Sequence, residues 1–260
     1  MKKHFLFVFL ILMAPGILKA QKTNTSKDTA QDNQDIIKLA EQITNIGSTG
    51  TNEDQLNGWN TQLEDKIFKY VLKDADFLQH DFPLWTKNGI EVITSADKKL
   101  RIVFWNAQTG GTLRDYNTLI FWKGTKKVEG KVVSDADNSS FSSLNLFRKQ
   151  DGSIFYLAQG MAHASNRDKI DFIRGYKING NAINEQYKAF KTPKKSLHEI
   201  SSELDMGSVT TANNMIHYSN DKKTLYIPVV NAQGEVKPDY YLIYKFDGNN
   251  FNFRKTAFSK

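Results

Sequence analysis

From Trp85 to its C-terminus the chain is written in short runs of Val, Ile, Phe and Tyr, each closed by Asp, Gly, Asn or Lys. Runs of this length between turn formers read as strands. They fall into three sets of four. The first lies near Glu91–Thr94, Leu100–Trp105, Thr118–Trp122 and Val128–Val133. The second lies near Leu144–Arg148, Ile154–Gln159, Ile170–Tyr176 and Ile183–Phe190. The third lies near Met215–Tyr218, Leu225–Val230, Tyr240–Phe246 and Phe251–Phe258.

An internal repeat supports the division. Asp97-Lys98-Lys99 matches Asp221-Lys222-Lys223, Asp115-Tyr116 matches Asp239-Tyr240, and Gly124 matches Gly248, all at an offset of 124 residues. Asn106-Ala107-Gln108 matches Asn231-Ala232-Gln233 one residue out of step. The expected fold is mainly β: three tandem four-stranded antiparallel units in a propeller-like array, with a two-sheet sandwich as the alternative.

The region before Trp85 has a different period. Ile36, Ile37, Leu39, Ala40 and Ile43 form one apolar stripe after Asp35, and Leu63, Ile67, Tyr70 and Val71 form another within a helix expected from Trp59 to Leu72. Residues 34–84 are therefore a helical segment packed on the β domain of residues 85–260. Residues 21–33 are polar, without an aromatic side chain, and read as a disordered tether.

In an antiparallel meander the connections alternate between the two ends of the sheet. The first and third connections of each set are tight, and the second is long: Asn106–Asn117, Gly160–Lys169 and Asn231–Asp239. The connections between sets, Ser134–Ser143 and Lys191–Asn214, are longer still. All the long loops are thus expected at one end, where binding residues on a rigid scaffold concentrate. That end carries the candidate ligand-binding residues Asn106, Gln108, Arg114, Asp115, His163, Arg167, Asp168, Asn231, Gln233 and Asp239. Amides, guanidinium groups and carboxylates beside aromatic rings suit a saccharide, a peptide or an envelope protein. The competing reading is that Asn and Asp there shape turns, and that the Asp before each third strand fixes its loop.

Familiar catalytic patterns are absent. His198-Glu199 begins like a zinc-protease helix, but Ser202 stands where the second imidazole is needed. His198 then belongs to a short helix with Leu197, Ile200 and Leu204 inward. Asp135, Asp137 and Ser139 begin like a calcium loop, but Ser140 and Leu146 occupy positions that require Gly and Glu. Gly110-Gly111 lacks the Lys and the following helix of a phosphate loop. No cysteine is present, which removes disulfides, thiolate chemistry and cysteine-linked lipid anchoring. No cofactor and no metal are expected. Binding is favoured over catalysis, with an envelope hydrolase using carboxylates or His163 on the same face as the alternative.

The first twenty residues read as a cleavable signal peptide. Lys2 and Lys3 are the basic start, Phe5–Met13 is the apolar run, and Ala20 is the small residue before a cut. The run is shorter than the ~20 residues a membrane helix needs. No span is expected after cleavage. Loss of Lys2, Lys3 and Lys19 lowers the formal charge from +7 to +4, and no basic stripe points to nucleic acid.

Thr94-Ser95-Ala96-Asp97-Lys98-Lys99-Leu100-Arg101-Ile102, then Trp105 and Thr109-Gly110-Gly111-Thr112, resembles a segment of uncharacterised exported β-rich proteins of Bacteroidota. The resemblance covers about Thr94 to Gly124. It implies a Gram-negative envelope location, periplasmic or secreted, and no chemistry.

Overall fold

The computed structural model describes residues 16–46, 53–109, 114–133, 139–165 and 167–258. The apolar run at residues 5–13, the break at 47–50, the Gly110-Gly111 pair, Asp135 and Asp137 lie outside them. The fold is mainly β, with three sheets and a small N-terminal helical segment.

The helical segment holds α1 (Gly16–Ile46), α2 (Glu53–Lys73) and the single-turn α3 (Pro83–Lys87). The α1 stripe Ile36, Ile37, Leu39, Ala40 and Ile43 is buried against Leu63, Ile67, Tyr70 and Val71 of α2. Both helices begin earlier than the periodicity indicates. Residues 21–33, expected as a tether, are helical in α1. At its end Asp32 pairs with Lys73 at 2.6 Å, and Asn33 accepts the Trp85 indole N–H at 2.6 Å. Tertiary partners on α2 and α3 thus engage polar residues whose composition alone argues against order.

The first sheet is a meander, β1 (Ile90–Thr94), β2 (Leu100–Asn106), β3 (Tyr116–Lys123) and β4 (Val128–Val132). Both its faces are covered, so β2 is buried from Leu100 through Trp105. Val103, Trp105, Leu119 and Phe121 face the helices. Ile102, Phe104, Ile120 and Trp122 face Phe141, Tyr156 and Phe172 of the second sheet.

The second sheet contains β5 (Ser139–Arg148), β6 (Ile154–His163) and β7 (Asp168–Asn179), near the expected places but longer, so the connection expected to be long over Gly160–Lys169 shrinks to residues 164–167. Its fourth strand corrects the sequence reading. Ile183–Phe190 does not form one strand. It splits into β8 (Ala182–Asn184), which pairs with the end of β7, and β9 (Phe190–Lys191), which joins the third sheet. β10 (Ser196–Leu197) pairs with β9, and β11 (Glu199–Asp205) then takes the fourth place beside β7. The helix expected around His198 is therefore a strand. Ile200, Ser202 and Leu204 are buried while Ser201 and Glu203 are exposed, a period of two rather than 3.6. Gly175 permits the crossover. Its N–H donates to His198 O at 2.8 Å and its carbonyl accepts from Tyr187 N–H at 3.2 Å. A side chain there would run into the Tyr187 carbonyl.

The third sheet adds β12 (His217–Tyr218), β13 (Thr224–Val230), β14 (Val236–Phe246) and β15 (Phe251–Phe258). Its strand order is β10-β9-β15-β14-β13-β12. The first, second and third sheets therefore hold four, five and six strands, the fifth of the second being β8 off its main path, not four each. Phe155, Leu157 and Ile173 of the second sheet pack on Leu225, Ile227, Tyr244 and Phe251 of the third. The molecule is a stack: helices, first sheet, second sheet, third sheet.

The repeat is visible in the turns. Ser95 Oγ donates to Asp97 Oδ1 at 2.7 Å, and Ser219 Oγ donates to Asp221 Oδ1 at 2.6 Å. Lys98 and Lys222 take the left-handed φ values 53° and 55°. The tight-turn end is tied together across sheets: Asn181 Oδ1 accepts from Thr125 N–H at 2.8 Å, and Gly248 O accepts from Gln150 N–H at 2.8 Å.

Candidate functional site at the long-loop end

The three second connections emerge at the end opposite these turns. Each is closed by its own polar side chains. In the β2–β3 loop, Asn106 Oδ1 accepts the Gln108 N–H at 2.9 Å, and Thr109 Oγ1 donates to Asp115 Oδ2 at 2.5 Å. Gln108 itself takes φ 61°. From α2, Asn60 donates to Ala107 O at 2.9 Å and accepts the Trp105 indole N–H at 2.8 Å, anchoring the loop's base.

In the β13–β14 loop, Asn231 Oδ1 accepts the Gln233 N–H at 2.9 Å. This is the contact Asn106 makes, so the near-repeat of Asn-Ala-Gln encodes one turn twice. Gln233 is exposed at the tip. In the β6–β7 loop, Ser165 Oγ donates to Asp168 Oδ2 at 2.8 Å and accepts the Asp168 N–H at 2.7 Å. Asp115 and Asp168 thus fix their loops. Asp239 differs: it lies inside β14 rather than in the loop, exposed, with φ 56°. The ladder between β13 and β14 is irregular near Pro228 and Val230, which leaves Asp239 clear of regular pairing.

Arg167 forms a latch. Its Nε and Nη2 reach Oδ1 and Oδ2 of Asp205 at 2.6 and 2.5 Å. The Arg167 hydrogen bond, followed by the Gly207 N–H, pulls the Asp205 carboxyl below its ordinary range, and the same pair raises the guanidinium. Asp205 N–H donates to Gly234 O at 2.9 Å, and Ser208 Oγ accepts the Val236 N–H at 3.0 Å. Arg167 therefore ties the β6–β7 loop to the end of β11 within the second sheet, and the Asp205 N–H and Ser208 carry the contact on to the β13–β14 loop of the third. The sequence alone does not single out Asp205, because a helix is the expectation around His198 to Leu204. The alternation of Ile200, Ser202 and Leu204 was the available signal.

A second grouping stands where the first and second sheets meet. His163 ends β6, half-buried, with its ring 5.7 Å from the Tyr116 ring. Lys169 is its cross-strand partner on β7. Burial first, then the charges of Lys169 and Arg114, hold the His163 pKa below its ordinary value. The imidazole is therefore neutral at pH 7, able to donate at one nitrogen and accept at the other, within a positive field. Arg114 is exposed at the loop's end. The ten sequence candidates thus divide: Asn106, Asp115, Asp168 and Asn231 shape loops, Arg167 ties its loop to β11, Gln108 and Asp239 hold left-handed backbone positions, Gln233 is exposed at a tip, and Arg114 and His163 gather with Tyr116 and Lys169.

Among the described residues no three His, Asp or Glu side chains stand close enough to hold a metal ion. No described helix is long and apolar enough to cross a membrane. The fold and this loop end define a helix-capped stack of three sheets. The chain matches no family model, no curated protein and no solved structure.

Proposed function

We propose that the chain is exported, cleaved after Ala20, and acts in the periplasm or outside the cell as a non-enzymatic binding module. Its three meanders, stacked face to face, support reading the array as propeller-like, each sheet serving as a blade. Its partner is a saccharide, a peptide or an envelope protein, taken through the long-loop end. The observation that carries this reading is the grouping of Arg114, Tyr116, His163 and Lys169 at the junction of two sheets. It combines two cations, a neutral imidazole and a phenol ring on a braced edge. That set recognises carboxylates and hydroxyls rather than cleaving bonds. The Bacteroidota resemblance agrees with an envelope location.

Alanine at Arg114 or His163 is expected to reduce capture of the partner from envelope extract, or of a glycan on an array, by about fivefold or more. Both lie outside the cores and should change stability by only ~0.5 kcal/mol. Lys98→Ala and Lys222→Ala, in the tight turns, should leave capture unchanged. Equal capture by all variants would remove the long-loop end from consideration. Export has its own check: mature protein from the envelope should begin near Gln21. Cleavage there removes the first residues of α1 and keeps the buried stripe from Ile36 to Ile43. Intact Met1 on the envelope form would count against it.

A further inference from the structure

The outer face of the third sheet is only partly covered. The helices cover the first sheet, and sheets cover both faces of the second. On the third, the connection after β11 covers the outer face only in part, where Tyr241 Oη donates to Asn213 O at 3.0 Å. Beyond that point a groove of about 730 Å³ runs over β13, β14 and β15. Its floor includes Ile243 and Ala257.

Two features make the groove selective. The first is a fixed aromatic wall. Tyr226 stacks on His217 with ring centroids 5.0 Å apart and planes at 14°, and Tyr241 meets it edge-on at 5.6 Å. This ring is already ordered, so binding against it costs little side-chain entropy. Phe258, 61% exposed, lies across the groove. The second feature is charge. Lys245, Arg254 and Lys255 line the groove, and among the described residues no Asp or Glu does. In a regular strand Arg254 and Lys255 would point to opposite faces. A register shift between Ile243 and Tyr244 places a bulge at Arg254, and both cations reach the same groove.

We infer that this groove binds an acidic oligosaccharide, with a pyranose ring against Tyr226 and the uronate carboxylates on Lys245, Arg254 and Lys255. Sugar rings present flat C–H faces to aromatic walls, and uronates place an anion on every ring. A second copy of the chain, laid sheet to sheet, would set the three cations against their equals, which is unfavourable. This site is separate from the long-loop end and does not depend on it.

Calorimetry with a hexagalacturonate tests the inference on the purified protein. Binding is expected, weakening with added salt. A neutral glucose hexamer should bind about tenfold more weakly or less. Lys245→Ala/Lys255→Ala and Tyr226→Leu should each weaken the uronate by about fivefold or more. The charge-keeping Lys245→Arg/Lys255→Arg variant should bind, and thermal melts should show all variants folded. Lys98→Ala, in a tight turn outside both sites, should bind hexagalacturonate as the parent does, and loss of binding in Arg114→Ala with the double alanine variant unchanged would assign the uronate to the long-loop end and overturn the inference. No binding, equal binding of the neutral hexamer, or equal binding by the double alanine variant would overturn the inference. So would tighter binding of hexaglutamate, which would make the occupant an acidic peptide, or a dimer in solution that occludes this face.

Discussion

Replacing Arg101 with alanine is expected to lower the unfolding free energy by about 3–5 kcal/mol, read by chemical denaturation at neutral pH. Arg101 is the charged side chain of β2 and is 1% exposed. Its guanidinium donates to the carbonyls of Phe77, Leu78 at 3.3 Å and His80 at 2.6 Å, and to Thr94 Oγ1 at 2.8 Å. The rings of Phe77 and Phe82 lie 4.8 and 5.0 Å from its central carbon. Burial draws its pKa down to about 10, which leaves it charged at neutral pH. The charge is held by backbone dipoles and aromatic faces, and it pins the segment between α2 and α3 to the first sheet. Alanine would strand those carbonyls in a dry interior, at about 1–3 kcal/mol for each one left unsatisfied. Arg101→Met separates packing from hydrogen bonding. It restores most of the volume and none of the donors, so it should recover only part of the loss. A loss under about 1 kcal/mol for alanine would show that the segment is held by its aromatic contacts alone.

The second large effect is a pH dependence centred on Asp171. This carboxylate on β7 is 1% exposed between the second and third sheets. It accepts the Ile216 N–H at 2.5 Å, and Gln159, which donates to Ile216 O at 2.5 Å, stands beside it. Burial raises its pKa to about 7, outweighing the two hydrogen bonds that act to lower it. A carboxyl whose folded pKa is raised binds its proton more tightly in the native state. Its favourable contribution is complete below about 3.8, the unfolded value, and is lost as the pH climbs through about 7. The span corresponds to about 4 kcal/mol. Asp171→Asn keeps an acceptor for Ile216 and cannot ionise. Denaturation of both proteins from pH 4 to pH 8.5 should show the parent losing about 4 kcal/mol more than the variant. A difference that stays flat across that range would mean the site is wetter than the packing indicates. The other shifted carboxylates, such as Asp205 and Asp221, are lowered and act below pH 4, so they leave this window clear.

Much of the β architecture is legible in the chain because strands and tight turns are local. The residues that close the Ser95–Leu100 turn lie within five positions of one another, and the same chemistry recurs at Ser219–Thr224. Alternating apolar runs then locate β2, β3, β6 and β13 within a few residues. The helical stripes of α1 and α2 follow from 3.6-residue periodicity for the same reason. The site was legible only as a place. Loop length and alternation put Asn106, Asp168 and Asn231 at one end. Which of them faces a partner depends on whether the loop itself uses their polar atoms.

Pairing between distant segments was decided by tertiary structure. Residues 182–205 contain enough apolar side chains for one strand of the second sheet, and the short spacing after β7 favours that choice. The structure instead places Phe190 at 0% exposure beside Phe251 in the third sheet and gives the edge of β7 to β11. Gly175 and the burial of Phe190 against Tyr244 and Phe251 select that outcome, and neither acts through sequence neighbours. Arg101 finds carbonyls 21 to 24 positions away, and Asp171 finds an N–H 45 positions away. The amino-acid sequence by itself determined the periods, the turns and the end from which the long loops leave, because hydrogen bonds among near neighbours set these. Only the tertiary structure decided which sheet each ambiguous strand joins, which polar groups are buried and which remain for a ligand, because desolvation and packing depend on segments far apart in the chain.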